Sequence, residues 1–121
     1  MFKLKMTEPT EAQTQYAIRA YLAHCRAVAW HGRINSGAAM LPSGKPGAFR
    51  PVKFHDIDGC SDIVGQLKDG RFLAIEVKRP SWKKPTDDRE RKQAAFLEQV
   101  NQAGGVGFFA GSVEKVKEVL G

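Results

Sequence analysis

Asp62, Glu76 and Lys78 are the residues whose types and spacing suit chemistry. Asp62 opens one short apolar run. Glu76 sits inside a second, with Lys78 two residues on. Runs this apolar belong in a covered sheet, where an acid is out of place. A strand points alternate residues to opposite faces, so Phe72, Ala74, Glu76 and Lys78 share one face and Leu73, Ile75 and Val77 the other. The runs flank Lys68-Asp69-Gly70, and the turn decides whether the acids meet. A two-residue Asp69-Gly70 turn would carry Asp62 opposite Val77, on the wrong face. A three-residue loop with Gly70 in the left-handed region pairs Leu67 with Arg71 and sets Asp62 opposite Glu76. The spacing predicts this second register. Adjacent carboxylates repel unless a cation or a shared proton joins them, which implies a divalent metal. Oxygen-only ligands suit Mg²⁺ or Mn²⁺.

Two helices must bring further groups to that pair. Thr10 reads as an N-cap with Gln13 completing a capping box, and a helix is expected from Glu11 to about Cys25. Its inward stripe is Glu11, Gln15, Ile18, Leu22 and Cys25. The polar half of the stripe is either a first turn overhanging the core or a group reaching a cation. Asp87 caps a second helix that stops at Gly104-Gly105. Its stripe is Arg89, Gln93, Phe96, Val100 and Ala103, with Gln93 pointing toward the acids.

The remaining segments frame these. Residues 1–9 read as a loose arm. Val28 to Asn35 reads as a strand with Val28 and Trp30 inward and Arg33 and Asn35 at its polar end. Ser36 to Asp58 reads as a long irregular basic loop carrying Lys45, Arg50, Lys53 and His55. Such a loop suits either a phosphate backbone or plain solvation. His55 with Asp56 and Asp58 reads as turn chemistry leading to Gly59 rather than metal ligation. Arg79, Lys83 and Lys84 surround Trp82 in a second basic loop, which suits nucleic-acid contact, although Trp82 could equally serve a core or a dimer interface. Val106 to Ala110 is a short buried strand, and Ser112 caps a last short helix. The order helix, three strands, helix, strand, helix predicts one α/β domain: a mixed central sheet flanked by helices.

Composition narrows the partners. At 121 residues with 42% hydrophobic and 26% charged content, one domain with a single core is expected. No stretch is long and apolar enough to span a bilayer. The first residues lack the apolar region of a secretory signal. Cys25 and Cys60 have neither disulfide-framework nor zinc spacing, so a cytoplasmic setting is expected. A net charge of +6 favours a polyanion such as nucleic acid.

Taken together, Thr10-Glu11 with its helix, Arg33-Ile34-Asn35-Ser36-Gly37, Gly59-Cys60-Ser61-Asp62-Ile63, Ile75-Glu76-Val77-Lys78, Gln93-Ala94-Ala95-Phe96 and Gly104-Gly105 resemble the PD-(D/E)xK nuclease superfamily. They look most like its virus-type replication-repair nuclease (VRR-NUC) family, across nearly the whole chain. Ser61 stands where the superfamily name has Pro; the VRR-NUC pattern accepts Ser. The resemblance implies a restriction-endonuclease-like core and a metal-dependent DNA nuclease. Short stand-alone members occur in phages and prophages and look like homodimeric Holliday-junction resolvases; similar domains are fused to DNA-repair nucleases. It further implies Asp62, Glu76 and the Val77 carbonyl as metal ligands, with Glu11 direct or through water. Lys78 and Gln93 would complete the catalytic set. Arg33, Asn35 and Ser36 would join Lys45, Arg50, Lys53, Arg79, Lys83 and Lys84 as DNA contacts. A restriction-type or flap endonuclease and a binding module without catalysis are the competing readings.

Overall fold

The computed structural model describes residues 7–34, 38–53 and 56–121. Thr10 caps α1 (Glu11–Leu22) through the predicted capping box, Oγ1 accepting from the Gln13 N–H at 3.1 Å and Gln13 Oε1 from the Thr10 N–H at 2.9 Å. The helix ends three residues short of the expected Cys25. β1 (Val28–Arg33) follows, then β2 (Ala38–Pro42) and β3 (Phe49–Lys53), then β4 (Ile63–Leu67) and β5 (Phe72–Val77). α2 (Asp88–Gln102) leads to β6 (Val106–Ala110) and α3 (Val113–Leu120). Asp87 and Ser112 cap α2 and α3 as their sequences predict, accepting from Glu90 N–H and Lys115 N–H.

The central sheet runs β1-β4-β5-β6. β1/β4 and β4/β5 are antiparallel, and β5/β6 is parallel across the α2 crossover. This is a mixed α/β arrangement with helices on both faces. Ile18 and Leu22 of α1 and Val116 of α3 pack with Ile63, Leu67, Leu73, Ile75, Val77 and Ala110 on one face. On the other, Leu97 and Val100 of α2 pack on Ala74, with Phe96 and Phe109 alongside.

Three expectations are corrected. Ser36–Asp58 is not irregular throughout: β2 and β3 form a separate two-stranded hairpin with Met40 opposite Pro51 and Leu41 opposite Arg50. Pro42 and Pro51 lie within these strands because both strands of such a pair are edges, where a missing N–H is tolerated. Trp30 does not pack inward. Val28 pairs with Leu67 but Trp30 with Gln66, so a bulge inserts one residue and turns Trp30 to the opposite face. There its indole donates to Gln66 Oε1 at 3.1 Å and it is 50% exposed. The helix stripes also differ. α1 buries Thr14 rather than Glu11 or Gln15, and α2 buries Gln93, Leu97 and Val100, with Phe96 half-buried and Arg89 and Ala103 exposed.

Candidate active site

The turn between β4 and β5 builds the site. Leu67 N–H donates to Arg71 O at 2.8 Å, Gly70 N–H donates to Leu67 O at 2.9 Å, and Gly70 takes φ +95°. The three-residue loop is therefore the one formed. Ile63 pairs with Ile75 and Gln66 with Phe72, which brings Asp62 beside Glu76. A one-residue slip would turn Leu73, Ile75 and Val77 out of the core, each a loss of about 1.5–3 kcal/mol. That total outweighs the gain from releasing one buried acid, so packing holds the acids together.

Asp62 N–H donates to Glu76 Oε2 at 3.2 Å, and Val77 N–H donates to Asp62 Oδ2 at 3.0 Å. The approach to Asp62 is held by Gly59, at φ +73°, where a Cβ would stand 2.2 Å from Lys92 O on α2. Only glycine lets this segment lie so close to the helix. From Glu76 a chain of contacts runs along α2. Gln93 Nε2 donates to Glu76 Oε1 at 2.9 Å, and Lys78 Nζ donates to Gln93 Oε1 at 2.8 Å. An ammonium can only donate, which orients the Gln93 amide with its oxygen toward Lys78. Lys78 Nζ also pairs with Glu90 Oε2 at 3.2 Å. Glu90 in turn accepts from Trp82 Nε1 at 2.6 Å and from the Thr86 N–H and hydroxyl at 3.1 and 3.0 Å. The Lys78 ammonium lies 5.7 Å from the Trp82 ring centre and 5.9 Å from that of Phe109.

Burial and charge set two unlike carboxyls on this chain. Burial, then the neighbouring Asp62 charge, pushes Glu76 up to about 9 against the partial opposition of Lys78. Glu76 is thus the carboxyl that resists ionisation, because burial and the neighbouring charge both disfavour its anion. Glu90 is held at about 2, first by the Thr86 N–H and then by Lys78, Trp82 and the Thr86 hydroxyl. One carboxyl is held charged beside the lysine, and the other is held neutral by its burial.

Of the residues expected at the site, Asp62, Glu76, Val77, Lys78 and Gln93 are brought together. Glu11 is not part of the acid pair. It is exposed and lines a hollow of about 260 Å³ with Lys78, Arg89 and Glu90. Among the described residues no group of three His, Cys, Asp or Glu forms that could hold a metal. Two juxtaposed carboxylates and the Val77 carbonyl nevertheless suit a hard cation that keeps most of its own water. Arg33 closes β1 opposite Ile63, one residue from Asp62, and is exposed, as are Arg79, Lys83 and Lys84 beyond Lys78. Lys45 and Arg50 are exposed on the β2–β3 hairpin, which Lys53 ends. Asn35, Ser36 and His55 lie outside the described residues. A larger hollow of about 640 Å³, lined by Arg71, Phe72 and Phe96 among others, sits at the far end of β5 from Glu76.

Glu90 is the residue that the sequence reading missed. Its backbone N–H donates to Asp87 Oδ1, the cap of α2, at 2.8 Å. Its position three residues before Gln93 was the available signal, because residues at that spacing share a helix face. Comparison with protein-family models, curated proteins and solved structures finds no match.

Proposed function

We propose that this chain is a metal-dependent, structure-selective DNA endonuclease of the kind its VRR-NUC-like motifs suggest, with a PD-(D/E)xK-type core acting on four-way junctions. The observation that carries the reading is the Asp62–Glu76 pair linked through Gln93 to a buried Lys78. Asp62, Glu76 and the Val77 carbonyl would hold Mg²⁺ or Mn²⁺. Such an ion, when bound, lowers the pKa of its water and polarises a phosphate. Lys78 shares the strand face of Glu76 and offers a positive charge to negative charge developing on the phosphate oxygens. Gln93 fixes the distance between acid and ammonium. Glu90 and the two aromatic rings keep that ammonium in place between turnovers. Exposed Arg33, Arg79, Lys83 and Lys84 around the site suit the flanking phosphates. Symmetric cutting of a junction would call for two copies of the chain.

The test is cleavage of a labelled four-way junction beside matched duplex, flap and single-stranded substrates, in Mg²⁺, Mn²⁺ and EDTA, with Glu76→Ala as control. Paired symmetric nicks, lost in EDTA and in the variant, are expected. Preferential cutting of flaps or duplex would keep the nuclease and remove the resolvase. Tight binding without cutting in either metal would leave a nucleic-acid-binding module.

A further inference from the structure

A cleft of about 540 Å³ lies beside the acid–lysine chain. Its walls include Pro80, Trp82, Lys83, Phe108, Phe109 and Lys115. β6 is the last strand of its sheet, and its successive residues Phe108 and Phe109 serve opposite faces. Where the chain leaves β6, a Cβ on Gly111 would come 2.9 Å from Arg79 O, so the turn after β5 lies directly across the strand end. That turn lays Trp82 on Phe109, ring centres 4.4 Å apart and tilted by 36°. The indole is anchored from behind by Glu90. On the other side Ser112 caps α3, which offers Lys115 from its first turn.

The lining joins aromatic surface to two ammonium groups and, among the described residues, contains no carboxylate. This combination fits a ligand with a flat π-face and a phosphate, which describes a nucleotide whose base is unpaired. Its volume lies within the roughly 300–1,000 Å³ of small-ligand sites. Trp82 also lines the hollow that holds Lys78 and Glu90, so one residue borders both spaces. We propose that the cleft binds an unpaired nucleotide of a single-stranded segment next to the strand under attack. The inference deepens the nuclease reading and rests on it for the identity of the polymer. It assigns Lys115, Phe108 and Phe109 to substrate recognition, the unpaired nucleotide being one opened at the branch point of a junction.

The chain holds two tryptophans, Trp30 and Trp82, so Trp30→Phe leaves Trp82 as the sole indole reporter. The full chain carrying that substitution is titrated in EDTA with a short oligothymidylate, with thymidine monophosphate and with a blunt duplex. Saturable quenching by the oligonucleotide, and much weaker quenching by the other two, is expected. Lys83→Ala/Lys115→Ala, both exposed positions, should weaken oligonucleotide binding about tenfold and flatten its log–log salt slope by about 1.4, two phosphate contacts at roughly 0.7 each. Equal quenching by duplex or by the mononucleotide overturns the proposal, as does unchanged affinity of the double variant with a native circular dichroism spectrum. The two readings fail separately. Quenching without cleavage of any branched substrate in Mg²⁺ or Mn²⁺ keeps the cleft and removes the nuclease. Cleavage without quenching does the reverse.

Discussion

The β4–β5 and β2–β3 hairpins have the same local plan and opposite fates. β4–β5 lies inside the sheet with helices on both faces, and Ile63, Leu73, Ala74 and Ile75 are fully buried. β2–β3 forms its own sheet, with Met40, Leu41 and Phe49 all more than 40% exposed. A lone two-stranded hairpin is marginal in water. The contrast shows what makes an acid chemically unusual. Asp69, exposed at the β4–β5 turn, is held low by the Arg71 N–H and guanidinium, an ordinary surface pair. Glu76, seven residues further on under α2, is driven the other way. Coverage by a helix, rather than strand sequence alone, converts an ordinary carboxyl into one that keeps its proton.

The sharpest way to break the comparison is Lys78→Ala, on the covered hairpin's exit. Turnover of the cleaved substrate should fall about 10²–10³-fold, the scale of losing one preorganised charge, while DNA binding stays within a few-fold. Wild-type rates in a gel-based single-turnover assay would remove Lys78 from the chemistry. Glu90→Gln should lower kcat about tenfold with little change in KM, as loss of an outer partner does. A rise in KM with kcat unchanged would instead indicate that Glu90 acts in binding.

Stability should divide the two regions next. Gly59→Ala meets both a left-handed φ and the α2 backbone, and should cost roughly 2–4 kcal/mol in urea unfolding. Gly44→Ala, at φ +91° with open space around it, should cost only about 1 kcal/mol. Ile75→Ala in the core should cost about 2–5 kcal/mol, against about 0.5 kcal/mol or less for Phe49→Ser on the exposed hairpin. Similar losses for the last two would mean that β2–β3 is covered in solution.

The pH dependence sharpens the same point. Glu76 keeps its proton in the folded chain up to about 9, whereas an unfolded glutamate loses it near 4.5. Between those values the folded state binds the extra proton, so stability in EDTA should decline as pH rises from about 4.5 through about 9. Glu90 acts in the opposite sense and at lower pH, its contribution fading as pH falls from about 4.5 through about 2. Glu76→Gln should flatten the upper limb of a thermal-melt profile. A profile unchanged by the substitution would place the alkaline decline elsewhere.

Much of the covered region was legible in the sequence because it is governed by local rules that agree. The Gly70 turn and the alternation of Leu73, Ile75 and Val77 both specify the register that joins Asp62 to Glu76. Thr10, Asp87 and Ser112 announce their helices. What escaped was decided by tertiary context. One bulge residue reversed Trp30, and edge status made strands of proline-bearing segments. Glu90 turned its side chain inward from a position that its backbone role already explained. Glu11 kept its helix but not the core, because α1 rotates Thr14 inward instead.

The Gln93 amide has one further consequence. Glu76 and Lys78 lie on the same strand face, two residues apart, and a direct ion pair between them would neutralise both. Gln93 stands between them as an uncharged spacer, and Lys78 finds its counter-charge in Glu90. Gln93 thereby keeps the Glu76 carboxyl and the Lys78 ammonium apart where proximity alone would let them pair.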